Sequence, residues 1–270
     1  MVKVFLAPLS AGSLGKSVGT EMAPDEIMRV LSARFLNESG LGVQTQEAVI
    51  DMDPANLEAS HEAIFEAVKG HSFRDPLFLL GGDHSVTYPS FRAFQERFPG
   101  SGLIVFDAHP DLQENFKPPS HEDYLRVLIE EGILAPERAV LVGVRSFSSQ
   151  EKEFAESKKR QGMTVLDMKT LASDGLWDAC DLIMEKARSW PRAYISIDVD
   201  VVDPSMAPGV AYPEPAGLTS RELLTVLHRL LKLPNIAAFD IVEAVPSKDV
   251  AGLTVSLAAK ILHELLSYGR

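Results

Sequence analysis

Cysteine is nearly absent from this 270-residue chain, in which Cys180 stands alone. An intrachain disulfide is therefore excluded, and a reducing compartment is allowed. No partner motif surrounds Cys180, so we expect it to be a core thiol.

Long hydrophobic runs are also missing. No apolar run approaches the roughly 18 residues that a membrane-spanning helix needs, and the N-terminal residues enter a strand pattern directly, without the features of a signal peptide. We therefore expect a cytoplasmic protein without a membrane partner.

Positive charge is scarce. Lys and Arg number 26 against 38 Asp and Glu, for a formal net charge of −12. Nucleic-acid binding, which needs a basic face, is disfavoured. The acidic balance favours solubility first, and only weakly favours attraction of a cationic substrate.

The length suits one α/β domain, which we place at residues 1–270.

Apolar, β-branched runs alternate with stretches of helical period, a pattern typical of a parallel sheet covered by helices. Strands are predicted at 3–9, 43–50, 76–80, 102–106, 139–144, 163–166, 193–197 and 236–241. Helices are predicted at 23–36, 54–69, 88–97, 122–131, 150–161, 169–188, 220–231 and 254–268. The predicted fold is a three-layer αβα architecture with an eight-stranded, mostly parallel sheet and helices on both faces.

Three predicted strands are followed by metal-type ligands: Gly-Gly-Asp-His-Ser at 81–85, Asp-Ala-His-Pro-Asp at 107–111 and Ser-Ile-Asp-Val-Asp-Val-Val-Asp-Pro at 196–204. Parallel strands place their carboxyl ends at one edge, where ligands bind. Alternate spacing directs side chains to one face. Oxygen and nitrogen donors without sulfur favour Mn²⁺, with Co²⁺, Ni²⁺, Fe²⁺ or Zn²⁺ as alternatives. The candidate metal ligands are His84, Asp107, His109, Asp111, Asp198 and Asp200.

Each motif also has a simpler interpretation. A single Asp-x-His-x-Asp sequence can be a capped turn with a solvated histidine, and Asp83 can cap the following helix instead of contacting metal. Three such clusters of charge at one sheet edge favour the metal interpretation.

The three motifs resemble the signature segments of the ureohydrolase family, which includes arginases, agmatinases and formimidoylglutamases. The resemblance continues through 207–209, 217–219 and 240–243, and through 19–24 near the N-terminus. It implies an arginase-like fold, two Mn²⁺ per chain, a small guanidino substrate and a homo-oligomer, either a trimer or a hexamer.

The resemblance also implies individual roles. His84, Asp107, Asp111 and Asp198 would hold one cation, and Asp107, His109, Asp198 and Asp200 the other. A metal-bridging hydroxide would attack the guanidinium carbon. Glu243 would accept the substrate's N–H donors, and His121 would protonate the leaving amine. The alternative for His121 is a surface histidine near the start of the next helix.

Segments outside the metal-type motifs bear on the substrate. The segment 143–148 has no carboxylate where arginases read the α-amino group, and 213–219 is similar to agmatinases, so agmatine is the first candidate. Glu122 departs from the agmatinase pattern, which has a small residue there. Arginase, formimidoylglutamase or another guanidino-acid hydrolase is the alternative. More remote are a metal-dependent deacetylase of the same fold and a non-catalytic metal-stabilised protein.

Overall fold

The computed structural model describes residues 1–268. Its eight strands form one sheet in which every neighbouring pair is parallel, in the order β2-β1-β3-β8-β7-β4-β5-β6. The strands are β1 Val2–Ala7, β2 Thr45–Val49, β3 Leu77–Gly81, β4 Gly102–Phe106, β5 Ala139–Val142, β6 Thr164–Leu166, β7 Ala193–Asp198 and β8 Ile236–Val242. All eight predicted strands are present, with ends shifted by a few residues.

The central strands β3, β4 and β7 are buried on both faces because they are apolar at consecutive positions, whereas the edge strand β2 is largely exposed. In β3, Phe78 and Leu80 pack into one hydrophobic layer, whereas Leu77 and Leu79 pack into the other. This alternation follows from the pleat, which directs successive side chains to opposite faces. The predicted three-layer αβα fold is confirmed.

The helices divide between the two faces. Buried side chains of α1, α6, α7, α8 and α9 join one hydrophobic layer, and those of α2, α3, α4 and α5 join the other. The helices are α1 Ala23–Ser32, α2 Leu57–Lys69, α3 Thr87–Arg97, α4 Tyr124–Glu130, α5 Ser149–Lys159, α6 Met168–Asp174, α7 Leu176–Arg188, α8 Ser220–Leu230 and α9 Leu253–Leu265.

Two helix predictions were wrong in extent. The single helix predicted at 169–188 is two helices, because Gly175 between them adopts φ 92° and ψ 149°, outside the helical region. The helix predicted at 23–36 ends at Ser32, and Asn37 then accepts backbone hydrogen bonds from Ser39 and Leu41 to form a turn. Among residues 1–268, no helix has the length and apolar character needed to cross a membrane.

Candidate metal centre

The centre is built at the carboxyl edge of the four central strands β3, β8, β7 and β4. His84 lies in a short 3-10 turn after β3, and Asp107 follows β4 directly. Asp198 is the last residue of β7, and Glu243 follows β8. The sheet therefore brings together side chains that are up to 159 residues apart in the chain.

His84 is at the middle of a buried cluster of carboxylates. Its Nδ1 atom lies 3.1 Å from Asp107 Oδ2, 3.1 Å from Asp111 Oδ2 and 3.4 Å from Asp198 Oδ2. Asp111 reaches this position with a φ of 50°, a left-handed conformation that is uncommon for a residue other than glycine. One imidazole nitrogen thus faces three carboxylates.

A second cluster lies next to the first and shares a carboxylate with it. His109 Nδ1 lies 2.9 Å from Asp200 Oδ2 and 3.6 Å from Asp107 Oδ1. Ligand atoms of Asp107, His109 and Asp200 lie within 4.8 Å of one another, as do those of His84, Asp107 and Asp111. The structure therefore places all six residues singled out in the sequence at one site, with Asp107 common to both clusters.

Two buried atoms at the centre have no hydrogen-bond partner among residues 1–268. They are His84 Nδ1 and Asp107 Oδ2, which face each other without hydrogen-bond geometry. A buried polar atom without a partner is costly. These two atoms can, however, both donate lone pairs to a cation, so the donor set fits a divalent metal.

The electrostatics of the carboxylates also favour a bound cation. Burial, and then the charge of Asp107, raise the pKa of Asp111 to about 8. Burial, followed by the charges of Asp200 and Asp107, raises the pKa of Asp198 well above its ordinary value. Four buried carboxylates at this spacing need added positive charge to stay ionised together.

His121 and Glu243 form a buried pair beside the clusters. His121 Nδ1 lies 3.0 Å from Glu243 Oε1, and the backbone N–H of His84 donates to the same oxygen at 2.8 Å. Burial opposes charge on His121, but the hydrogen bond and charge of Glu243 outweigh it and raise the pKa of His121 to about 9. His121 is only 6% exposed, so the interpretation as a surface histidine is wrong.

A cavity of about 300 Å³ opens onto these residues. Its outer wall comes from loops outside the three metal-type motifs and from the first turn of α5. The outer lining residues are Gln113, Glu122, Ser146, Phe147, Ser148, Glu151, Val210, Ala211, Tyr212 and Glu214. In the described part of the chain, no lysine or arginine lines this cavity. Lys16 lies outside and pairs with Glu122 at 2.6 Å.

A buried polar network that the sequence did not predict lies on the far side of His84. Ser196 and Asp240 lie in the segments 196–204 and 240–243 without an assigned role, and no sequence pattern marks Tyr124 or Tyr194. Asp240 accepts hydrogen bonds from Ser196, Tyr194 and Thr87 at 2.6–2.9 Å. Asp83, by contrast, is a cap: its Oδ1 accepts from the backbone N–H of Ser85.

Residues 1–267 match the family model described as "Arginase family". The chain belongs to the arginase family. This membership confirms the ureohydrolase resemblance that the three motifs indicated, and it covers nearly the whole chain.

The matching relatives differ in the substrates that their names state. Arginase 1, mitochondrial, of Oryza sativa subsp. indica is 37% identical over 214 residues, covering 75% of this chain and 58% of that protein. This chain therefore spans less than two thirds of that relative. Formimidoylglutamase of Halalkalibacterium halodurans is 33% identical over 277 residues, covering 97% of this chain and 84% of that protein.

Among solved structures, proclavaminate amidino hydrolase from Streptomyces clavuligerus superposes with a TM-score of 0.88 at 29% identity. The superposition covers 98% of this chain and 90% of that one. The arginase-like fold is thus established independently of the motifs.

Proposed function

We propose that the protein is a binuclear metal hydrolase that cleaves a guanidino compound to urea and an amine, with agmatine as the leading substrate. The observation that carries this proposal is the pair of clusters joined through Asp107, with unpartnered His84 Nδ1 and Asp107 Oδ2 facing each other. The family membership supports the same chemistry.

Two divalent cations fit the donor set. His84, Asp107, Asp111 and Asp198 would hold one, and Asp107, His109, Asp198 and Asp200 the other. Two imidazoles and four carboxylates without a thiolate suit Mn²⁺, and also Co²⁺, Ni²⁺, Fe²⁺ or Zn²⁺. When bound, the cations supply positive charge and lower the pKa of water at the site.

Glu243 is the proposed reader of the guanidinium group. Its carboxylate is fixed from two directions by the His84 backbone N–H and the His121 ring. A fixed, buried carboxylate forms charge-assisted hydrogen bonds with a planar cation and orients it. Glu243 adopts a φ of 65°, a strained backbone conformation of the kind that clusters at functional sites.

His121 is the proposed proton donor to the leaving amine. Its Nδ1 is held by Glu243, whereas its buried Nε2 has no hydrogen-bond partner in residues 1–268. The ring is therefore oriented by one nitrogen and free to transfer a proton at the other, as a general acid requires.

The outer cavity favours a substrate with a cationic or neutral tail. It carries the partly exposed Glu214, and no lysine or arginine is present among its described lining residues to attract a carboxylate. Agmatine fits this wall because its tail is cationic and carries no carboxylate. Gln113, Ser146 and Ser148 are neutral donors in the same wall, and they support arginine or another guanidino acid as the second candidate.

The test is product release from Mn²⁺-loaded protein. Urea would be measured with agmatine, arginine, guanidinobutyrate and guanidine, and formamide with formimidoylglutamate. We expect urea from agmatine first. Activity on another of these compounds would change the proposed substrate but support the same reaction. If no product formed from any of them with two metals bound, the proposed reaction would be contradicted.

Metal content and turnover together separate the remaining alternatives. A deacetylase of the same fold would hold one metal and cleave an acylated amine, and a non-catalytic protein would bind metal without turnover.

We further propose a cytoplasmic homo-oligomer, a trimer or hexamer, without nucleic-acid or membrane partners. Sedimentation analysis would test its size.

A further inference from the structure

The two ring nitrogens of His84 face different groups. Its Nδ1 faces the carboxylates of the metal centre, and its Nε2 faces two hydroxyl oxygens. Those oxygens are Ser196 Oγ at 2.9 Å and Tyr124 Oη at 3.0 Å. A neutral imidazole that offers its Nδ1 lone pair carries its proton on Nε2, so both hydroxyl oxygens can accept from that N–H.

Ser196 can accept a hydrogen bond from His84 because its own hydroxyl proton is donated to another residue. Its hydroxyl donates to Asp240 Oδ1 at 2.6 Å, and Asp240 is fully buried. The oxygen of Ser196 therefore has its lone pairs free for the His84 N–H. A single acceptor restrains the Nε2–H group in one direction only.

The tyrosine restrains the ring in a second direction. Tyr124 is fully buried, and its ring centroid lies 4.5 Å from that of His84 at a 38° tilt. It is the first residue of α4, whereas Ser196 lies in β7. His84 is therefore held from a helix and from a strand at once.

We propose that Tyr124 is a positioning residue for His84, acting from its hydroxyl to hold the Nδ1 lone pair toward the carboxylate cluster. The proposal rests on the proposed metal site. Groups that bind the second nitrogen of a ligating histidine fix its tautomer and orientation, and their loss typically weakens metal affinity about 10–100-fold.

The test is Tyr124→Phe, which removes one hydroxyl and keeps the ring. Tyr194→Phe is the matched control: Tyr194 is fully buried, and its hydroxyl contacts Asp240 and Ser90 without contacting His84. Metal-free wild type and both variants would be titrated with Mn²⁺ against a chelating indicator, after circular dichroism has shown that each is folded.

We expect Tyr124→Phe to bind one of two Mn²⁺ equivalents roughly 10–100-fold more weakly, while Tyr194→Phe binds as the wild type does. Unchanged affinity in Tyr124→Phe would overturn the inference, and so would an equal loss in both variants, which would indicate general loosening of the network. A wild type that binds no Mn²⁺ would instead overturn the proposed function, and this inference with it.

If Tyr124→Phe does not fold, the wild type supplies the test. Ring ¹⁵N spectra of the Zn²⁺-loaded protein should show a proton on His84 Nε2, with a nuclear Overhauser contact from it to the Tyr124 ring. A proton on Nδ1, or absence of that contact, would overturn the inference.

Discussion

Replacing Glu243 by Gln isolates the charge of one carboxylate at nearly constant shape. The amide oxygen can still accept from the His84 backbone N–H, which lies 2.8 Å from the carboxylate in the native protein. What is lost is the negative charge, which serves both His121 at 3.0 Å and the proposed guanidinium substrate. A hydrogen bond to a charged group is worth about 1.5–3 kcal/mol, against about 1 kcal/mol for a neutral one.

With two such bonds weakened, we expect a loss of about 3 kcal/mol in transition-state stabilisation. At about 1.36 kcal/mol per tenfold change, this corresponds to a fall in kcat/KM of roughly 150-fold. The assay is steady-state urea release with agmatine and Mn²⁺-loaded protein. Metal content measured on the same sample serves as the control, because Glu243 is outside both proposed ligand sets.

If Glu243→Gln kept two metals per chain and lost less than about fivefold in kcat/KM, the assignment of Glu243 as guanidinium reader would be refuted. If the variant lost metal as well as activity, Glu243 would be part of the metal site instead.

Three further predictions concern other parts of the molecule. Asp111→Ala should retain the fold but lose turnover and one metal equivalent, as measured by urea release and elemental analysis; loss of folding alone would indicate a structural metal. Glu214→Gln should raise KM for agmatine by about 2–5-fold and shift preference toward guanidino acids, because a partly exposed charge contributes only about 1 kcal/mol. Burial lowers the pKa of His61 to about 4, so the unfolded chain takes up a proton there below about pH 6.5 and the folded chain does not. Stability should therefore fall from pH 6.5 to 4 by at most about 3 kcal/mol, and His61→Gln should flatten that dependence in chemical denaturation.

The strands and metal-type residues were predictable because their signals are local. An apolar run such as 102–106, followed at once by Asp107, specifies both a buried strand and a charge at its end. Once the strands are parallel, the sheet places such charges at one edge without further information. These two facts, together with the spacing within the short motifs that follow the strands, account for the six clustered residues.

The remaining features depend on tertiary contacts that no local pattern encodes. Tyr124 contacts His84 across 40 residues of chain, and its position in an apolar helix is equally consistent with simple core packing. The outer cavity wall is built mainly by loops, and residues distant in the chain such as Gln113 and Glu214 line one cavity only after folding. Gly175 interrupts a helical pattern that periodicity alone continues, since an isolated glycine costs a helix only about 1 kcal/mol.

The number of metal ions per chain tests the central claim most directly. Metal-free protein would be dialysed against Mn²⁺, passed through a desalting column and analysed for manganese per folded chain. The shared carboxylate of Asp107 between two clusters predicts two equivalents. Zero equivalents would contradict a metal centre at this edge of the sheet, and a single equivalent would contradict the binuclear mechanism.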